Sequence, residues 1–317
     1  MHIFKLRSLS FLSLDQRFLL FLQLFFTMIT LENDYIQIEI KEVGAELCKV
    51  YSKQTGLDYL WKGDPQFWKR HSPVLFPIVG KLLGNSYTIN NSKYELTQHG
   101  FARDLDFEVL NKTNNSILLE TQYSEETLLK YPYKFSLQIG YELKESRIDV
   151  SYNVINKDDK SINFSIGAHP AFNCPISQGT SFNDYFIEFE KEEHPILHSL
   201  NPQTGFRKKD TERVKLDKTI PLSYNLFDND ALMFEGLESK KISLKSNKHE
   251  HGVHFYIPNW RYMAFWTQKG NAPFICFEPW MGIADEENTD QVFETKTGIM
   301  NLDVNQSYEN QYSMEFF

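Results

Sequence analysis

Arg147-Ile148-Asp149-Val150-Ser151-Tyr152-Asn153-Val154 alternates polar and apolar side chains without a break. Successive side chains of an extended chain point to opposite faces, so a period of two describes a strand with one face in a core and the other toward water. Tyr35-Ile36-Gln37-Ile38-Glu39-Ile40 repeats the pattern, with three isoleucines on one face. Shorter runs of the same kind recur at residues 116–120, 135–143, 162–166, 185–189 and 254–257, separated by clusters of Gly, Asn, Asp, Lys and Pro. Many half-buried strands divided by turn residues are the pattern of an antiparallel sandwich. Helical signals are confined to residues 64–68, where Asp64 is placed to cap and Pro65 to open a turn, and to residues 124–129. No Pro/Ser/Gly-rich linker, composition shift or internal repeat divides residues 28–317, so a single, mostly antiparallel all-β domain with few short helices is expected.

The net charge of −9 at pH 7, with Lys and Arg scattered rather than clustered, offers no basic surface to a phosphate backbone, and nucleic acid is not expected as a partner. Aromatic residues make up 15% of the chain, a level that suits strand faces and surfaces on which sugar rings stack. The three cysteines, Cys48, Cys174 and Cys276, are far apart and form no Cys-x-x-Cys pair. That usage fits a reducing compartment, and a cytoplasmic protein is expected.

Residues 1–27 break the pattern. Lys5 and Arg7 are followed by Phe18-Leu19-Leu20-Phe21-Leu22-Gln23-Leu24-Phe25-Phe26, an apolar run shorter than the ~20 residues needed to span a bilayer. Asp15 and Arg17 interrupt what would be the centre of a signal peptide, and no Ala-x-Ala follows. The regular alternation starts after Met28, so residues 1–27 are read as an apolar extension outside the fold, and no membrane partner is expected for residues 28–317.

Phe274-Ile275-Cys276-Phe277-Glu278-Pro279-Trp280 places a carboxylate in one of the most apolar runs of the chain. A strand buried on both faces is a costly place for a charge, and burial there raises a glutamate pKa from its ordinary value of about 4.3. Two histidines have comparable settings. His99 lies in Gln98-His99-Gly100-Phe101-Ala102-Arg103-Asp104, where a glycine permits close approach to the backbone, and His169 lies in Gly167-Ala168-His169-Pro170-Ala171-Phe172. His169 and Glu278 each precede a proline, which biases both toward extended geometry and stiff strand ends. Other chemistries lack their motifs. There is no Gly-x-Ser-x-Gly nucleophile elbow and no Gly-rich phosphate loop. The run His249-Glu250-His251-Gly252-Val253-His254 lacks the His-Glu-x-x-His spacing and reads as the opening of a strand, so no metal site is expected.

Together with Pro73-Val74-Leu75-Phe76-Pro77-Ile78-Val79-Gly80-Lys81, Asn229-Asp230-Ala231-Leu232 and Cys276-Phe277-Glu278-Pro279-Trp280-Met281-Gly282, these segments resemble the aldose 1-epimerase (galactose mutarotase-like) family, in particular its bacterial LacX-type branch. Five motifs in order, from about Met28 to the C-terminus, are far more specific than any one of them. The resemblance implies a galactose mutarotase-like β-supersandwich that interconverts the α and β anomers of a free aldose without a cofactor. It assigns Glu278 as general base, His169 as general acid, and His99 and Asp230 as ligands of sugar hydroxyls. Lys81 and Arg103 are further expected ligands. Many members carry an arginine where this chain has Lys81, a point charge in place of a planar fork.

The residue types suit that chemistry. Anomer exchange removes a proton from the C1 hydroxyl while another reaches the ring oxygen, and the opened chain recloses on either face of the aldehyde. A carboxylate and an imidazolium suffice, each contributing about 10²- to 10⁴-fold. A carboxylate neighbour is expected to raise the His169 pKa. Trp280, Phe101 and Phe172 flank the motifs as candidate stacking surfaces, with core packing the alternative for each. Two other readings remain open: a non-catalytic carbohydrate-binding or sensing protein on the same fold, and a hexose-6-phosphate 1-epimerase, whose clustered arginines are represented here by Arg103 alone among the motifs. Glycoside hydrolysis requires a second carboxylate about 5 to 9.5 Å from the first. Asp230, the one such group in these motifs, is read instead as a hydroxyl ligand. The sequence leaves the aldose and the oligomeric state open.

Overall fold

The computed structural model of the chain describes residues 28–317, and the reading of residues 1–27 lies outside the described residues. Phe135–Lys144 pairs along its whole length with Arg147–Asn156, the two joined by a tight turn in which Glu145 takes a φ of +52°. Arg147–Asn156 pairs on its other side with Ser307–Phe316. Ile148, Val150, Tyr152 and Val154 are buried while the residues between them reach the surface to varying degrees, as the alternation requires.

These three strands form the middle of a nine-stranded antiparallel sheet that runs from Thr219–Pro221 at one edge to Glu108–Lys112 at the other. A second sheet of eight strands is built around Phe274–Met281, which pairs with Tyr262–Trp266 on one side and with Ile166–Ala168 and Ala171–Asn173 on the other. A four-stranded sheet, Met28–Glu32, Ile36–Lys41, Leu47–Ser52 and Leu57–Asp58, completes the N-terminal part of the described residues. The two large sheets bury their facing side chains against each other. Phe255 of the nine-stranded sheet meets Phe172 and Phe277 of the other at ring-centroid distances of 6.0 and 5.7 Å, and Phe189 meets Phe265 at 6.3 Å. Truncating such a ring costs ~3–5 kcal/mol, so this layer fixes the separation of the sheets.

Two expectations differ in detail. Residues 64–68 form a turn rather than a helix. The amides of Phe67 and Trp68 donate to the Asp64 carbonyl and that of Gln66 to the Asp64 side chain, and the chain then extends. The expected strand 162–166 is two strands, Ile162–Phe164 and Ile166–Ala168, in different sheets, because the Ser165 amide is taken by the Pro77 carbonyl at 2.7 Å. The apolar run 74–79 is a strand only at Val74–Leu75. Pro77 has no amide to donate, and the remainder is a buried loop leading to Gly80. The expected helix near residue 124 is present as Glu125–Lys130, capped reciprocally by Ser124 and Thr127. Among the described residues no helix is long and apolar enough to cross a membrane.

Candidate active site

Phe274–Met281 is buried on both faces, and its alternation separates two tasks. Ile275 and Phe277 point into the inter-sheet core, whereas Glu278 and Trp280 line a cavity of about 460 Å³ on the opposite face. Ala264 is the cross-strand neighbour of Glu278 on one side and leaves it room. On the other side the ladder pairs Gly167 with Trp280 and Ala171 with Cys276, which sets His169 opposite Glu278. The prolines fit this break. The Phe277 amide donates to the Pro170 carbonyl at 3.1 Å, and two residues on, on the same side, Pro279 has no amide to donate where the neighbouring strand is interrupted.

His169 Nε2 lies 3.0 Å from Glu278 Oε2, with the side chains only 9% and 2% exposed. Burial pushes the Glu278 carboxyl well above the ordinary range, and the Asp230 carboxylate adds to the rise. Burial also pushes the His169 imidazole down, to about 3, with Arg103 and Arg70 contributing. The expectation that a carboxylate neighbour would raise the His169 pKa is therefore reversed. In this apolar enclosure both partners favour their neutral forms, and one proton on the line between them satisfies the contact.

The other expected residues converge on the same cavity. His99 has a φ of +67° and exchanges two hydrogen bonds with Gly80: its amide donates to the Gly80 carbonyl at 2.9 Å, and the Gly80 amide donates to Nδ1 at 3.2 Å. Nδ1 is therefore an acceptor. Burial, with the nearby His169 and cations, holds the ring pKa well below its ordinary value, so the ring is neutral, and its Nε2 meets the side-chain amide of Gln98 at 3.2 Å. Gly100, next in sequence, is required: a Cβ there would sit 2.3 Å from the Phe76 carbonyl oxygen. Asp230 follows the short helix Tyr224–Phe227 with a φ of +77°, and its Oδ1 accepts from the Ala231 amide. Arg103 donates to the Gln98 carbonyl at 2.7 Å, and burial with the neighbouring Arg70 lowers its pKa to about 10. Lys81 lies against Gly205, where an added Cβ would stand 2.6 Å from Nζ. Asp285 fixes the Lys81 backbone by donating its amide to the Lys81 carbonyl, and a buried Lys296 pairs with the Asp285 carboxylate at 2.9 Å.

Glu278, His169, His99, Asp230, Lys81 and Arg103 all line the cavity, as does Trp280. Phe101 and Phe172 are core residues, packed against Phe76 and Phe277 respectively. Sequence reasoning missed Trp68, whose indole stacks on the His169 imidazole with centroids 4.8 Å apart, and Trp266, which meets the same ring edge-on at 5.7 Å. The loop carrying Trp68 is tied by Glu46, whose Oε1 accepts from the amides of His71 and Ser72 at 2.7 and 3.1 Å. Burial alone would raise the Glu46 pKa, but the hydrogen bonds from His71 and the charge of Lys41 bring it down to about 2. The signal for Trp68 was an aromatic directly after the Asp64–Pro65 turn, in Trp68-Lys69-Arg70-His71 ahead of the Pro73 motif.

Two groups of side chains have metal-ligand composition among the described residues: Glu46, Cys48 and His71, and His169, Cys276 and Glu278. The histidine run 249–254 does not join them. His249 bonds Tyr185 through Nε2 and the His251 amide through Nδ1, and His254 stacks on Phe317.

A family model described as aldose 1-epimerase matches residues 27–297. The chain is 31% identical over 294 residues to Protein LacX of Lactococcus lactis subsp. lactis, across 89% of this chain and 98% of the relative. Among solved structures, it resembles a galactose mutarotase related enzyme from Lactobacillus acidophilus, at 34% identity and a TM-score of 0.88, over 92% of this chain and 97% of that one. A galactose mutarotase-like protein from Lactobacillus casei is similar at 33% identity and a TM-score of 0.86, over 92% and 100%. The fold is thus the galactose mutarotase-like β-supersandwich, and the chain belongs to the aldose 1-epimerase family.

Proposed function

We propose that the protein is an aldose 1-epimerase that interconverts the α and β anomers of an aldohexose, with residues 28–317 as its single catalytic domain. The observation that carries this reading is the 3.0 Å contact between His169 and Glu278, two groups that burial brings to a single shared proton at the floor of a cavity. Mutarotation needs one proton removed at O1 and one delivered at the ring oxygen. A pair holding one proton does both and ends with its count unchanged. Sugar hydroxyls that donate to Glu278 favour its carboxylate form and send the proton across to His169, which arms Glu278 as base and His169 as acid. When the ring opens, Glu278 has gained a proton and His169 has lost one. Reclosure on either face of the aldehyde runs the transfers backward.

His99 presents a neutral imidazole, Asp230 a carboxylate acceptor, and Lys81 and Arg103 cationic donors, so the sugar hydroxyls meet both polarities. The buried, unpaired thiols of Cys48, Cys174 and Cys276 support a reducing compartment, the cytoplasm. Against a non-catalytic binding role stands the buried acid–base pair, which recognition of a sugar does not need. A second reading, epimerisation of a hexose 6-phosphate, is favoured by one observation: Arg70 lies close enough to Arg103 to lower its pKa, beside a cavity also lined by Lys81 and Lys269. Polarimetry of freshly dissolved α-glucose and α-galactose, and separately of their 6-phosphates as substrates, tests both. Acceleration of the free sugars supports the first reading. Acceleration of the phosphates alone supports the second, and neither overturns both.

A further inference from the structure

The thiol of Cys276 has no part in the proton transfers just described, yet it lies with them. One ligand atom from each of His169, Cys276 and Glu278 falls within 4.8 Å of the other two, and all three residues are buried. Cys276 precedes Glu278 by two residues on one strand and therefore projects from the same face. His169 faces them from the interrupted neighbouring strand, and its Nδ1 is buried with no hydrogen-bond partner among the described residues. We propose that His169, Cys276 and Glu278 form a binding site for a soft divalent cation, Zn²⁺, whose occupation blocks the sugar reaction.

Imidazole, thiolate and carboxylate are the ligand types zinc takes, and the thiolate selects it over Mg²⁺ or Ca²⁺. With metal–ligand bonds of ~2.0–2.3 Å, tetrahedral ligands stand roughly 3.3–3.8 Å apart, so side-chain shifts of about 1 Å close the set. His169 and Glu278 line the cavity, which leaves a fourth position toward it for water or a sugar hydroxyl. Binding releases the proton shared by His169 and Glu278 and the thiol proton of Cys276 to solvent. Cys276 belongs to a buried apolar cluster with Trp61 and Phe274, against which Trp68 and Trp266 pack, and this surround keeps water from the metal–sulfur bond.

The other cluster of this composition differs in one respect that decides between them. At Glu46, Cys48 and His71 the carboxylate already accepts two backbone amides and has the Lys41 ammonium 3.5 Å away, so its charge is compensated. Among the described residues no lysine or arginine makes an ion pair with Glu278, whose one partner of that kind is His169.

The inhibitory part of this proposal rests on the mutarotase reading, and the binding part does not. Titration of the full chain with Co²⁺ is expected to give a thiolate-to-cobalt charge-transfer band at one equivalent, absent from Cys276→Ala and displaced by Zn²⁺. Cys276→Ser, closer in shape, replaces the alanine variant if that one fails to fold. Zn²⁺ is expected to abolish mutarotation reversibly, with EDTA restoring it. The folded Cys276 variant should keep its activity while needing at least ~10-fold more Zn²⁺, the smallest loss ascribed even to outer partners of a metal ligand. No cobalt band, a band that survives in the Cys276 variant, or unchanged zinc inhibition in that variant overturns the site. If the wild-type chain accelerates no sugar, the cobalt titration still decides the question.

Discussion

The indole of Trp68 lies stacked on the imidazole of His169, with centroids 4.8 Å and planes 27° apart. The stack fixes the plane in which His169 meets Glu278 and covers the ring from water. Removing the indole in Trp68→Ala relieves burial, so the His169 pKa climbs from about 3 back toward its ordinary value, as an NMR titration of the imidazole would read. Stacking of this kind is worth ~0.5–1.5 kcal/mol, so kcat should fall by up to about 10-fold, with Trp68→Phe retaining most of it. An unmoved His169 titration in Trp68→Ala would remove the indole from this role.

Glu46 holds the same loop from beneath. Its carboxyl is held near 2 in the folded chain against 4.5 unfolded, so it stabilises the fold above pH 4.5, and that contribution is lost as pH falls through about 2. Glu46→Gln should destabilise the protein at pH 7 by up to ~3 kcal/mol, about 1.4 kcal/mol for each pKa unit. The deficit should shrink between pH 4.5 and pH 2. Denaturant titrations at several pH values check this; a deficit independent of pH contradicts it.

Glu278 carries the opposite sign. A carboxyl whose pKa is raised on folding favours the folded state below its unfolded value, and the advantage is lost as pH rises through the folded pKa. Glu278→Gln, which cannot ionise, should therefore melt higher than the wild type at pH 8, with the gain fading toward pH 4.5. A variant less stable than wild type at pH 8 would contradict the neutral buried pair.

Lys81 tests the rim of the cavity. Lys81→Met removes a charged donor, which should weaken sugar binding by ~1.5–3 kcal/mol and raise KM about 10- to 100-fold with a smaller effect on kcat. Lys81→Arg is longer and meets Gly205, so it should shift the preference between glucose and galactose. Unchanged KM values and an unchanged kcat/KM ratio in both variants would move the sugar away from this side.

A chain beginning at Met28 should fold and retain full activity, because every residue assigned to the site lies beyond it. Insolubility or inactivity of that chain would give residues 1–27 a part in the fold.

The strands were legible where one face meets water, because the pleat then writes its period into the sequence, as at Arg147–Asn156. Strand breaks were less so: Ser165 looks like one more strand residue, and only the Pro77 carbonyl that takes its amide reveals the change of sheet. Asp230 came from the family resemblance, whereas Glu278, His169 and His99 were legible through backbone requirements, prolines after His169 and Glu278 and a glycine after His99. Trp68 was not, because its contact with His169 joins segments far apart in sequence and a lone loop tryptophan has no period. The direction of the His169 shift was hidden for a related reason. A neighbouring carboxylate can be guessed from motifs, but enclosure by Trp68 and Trp266 exists only in the folded chain, and burial outweighs the neighbour.

Proton transfer by Glu278 and His169 is tested most directly by the initial rate of change in optical rotation of freshly dissolved α-galactose and α-glucose, measured with wild type, Glu278→Gln and His169→Asn at equal concentrations of folded protein. The wild type is expected to accelerate at least one sugar, and each variant to lose about 10²-fold or more of that rate. Wild-type rates no faster than buffer, or near-wild-type rates in either variant, would contradict it.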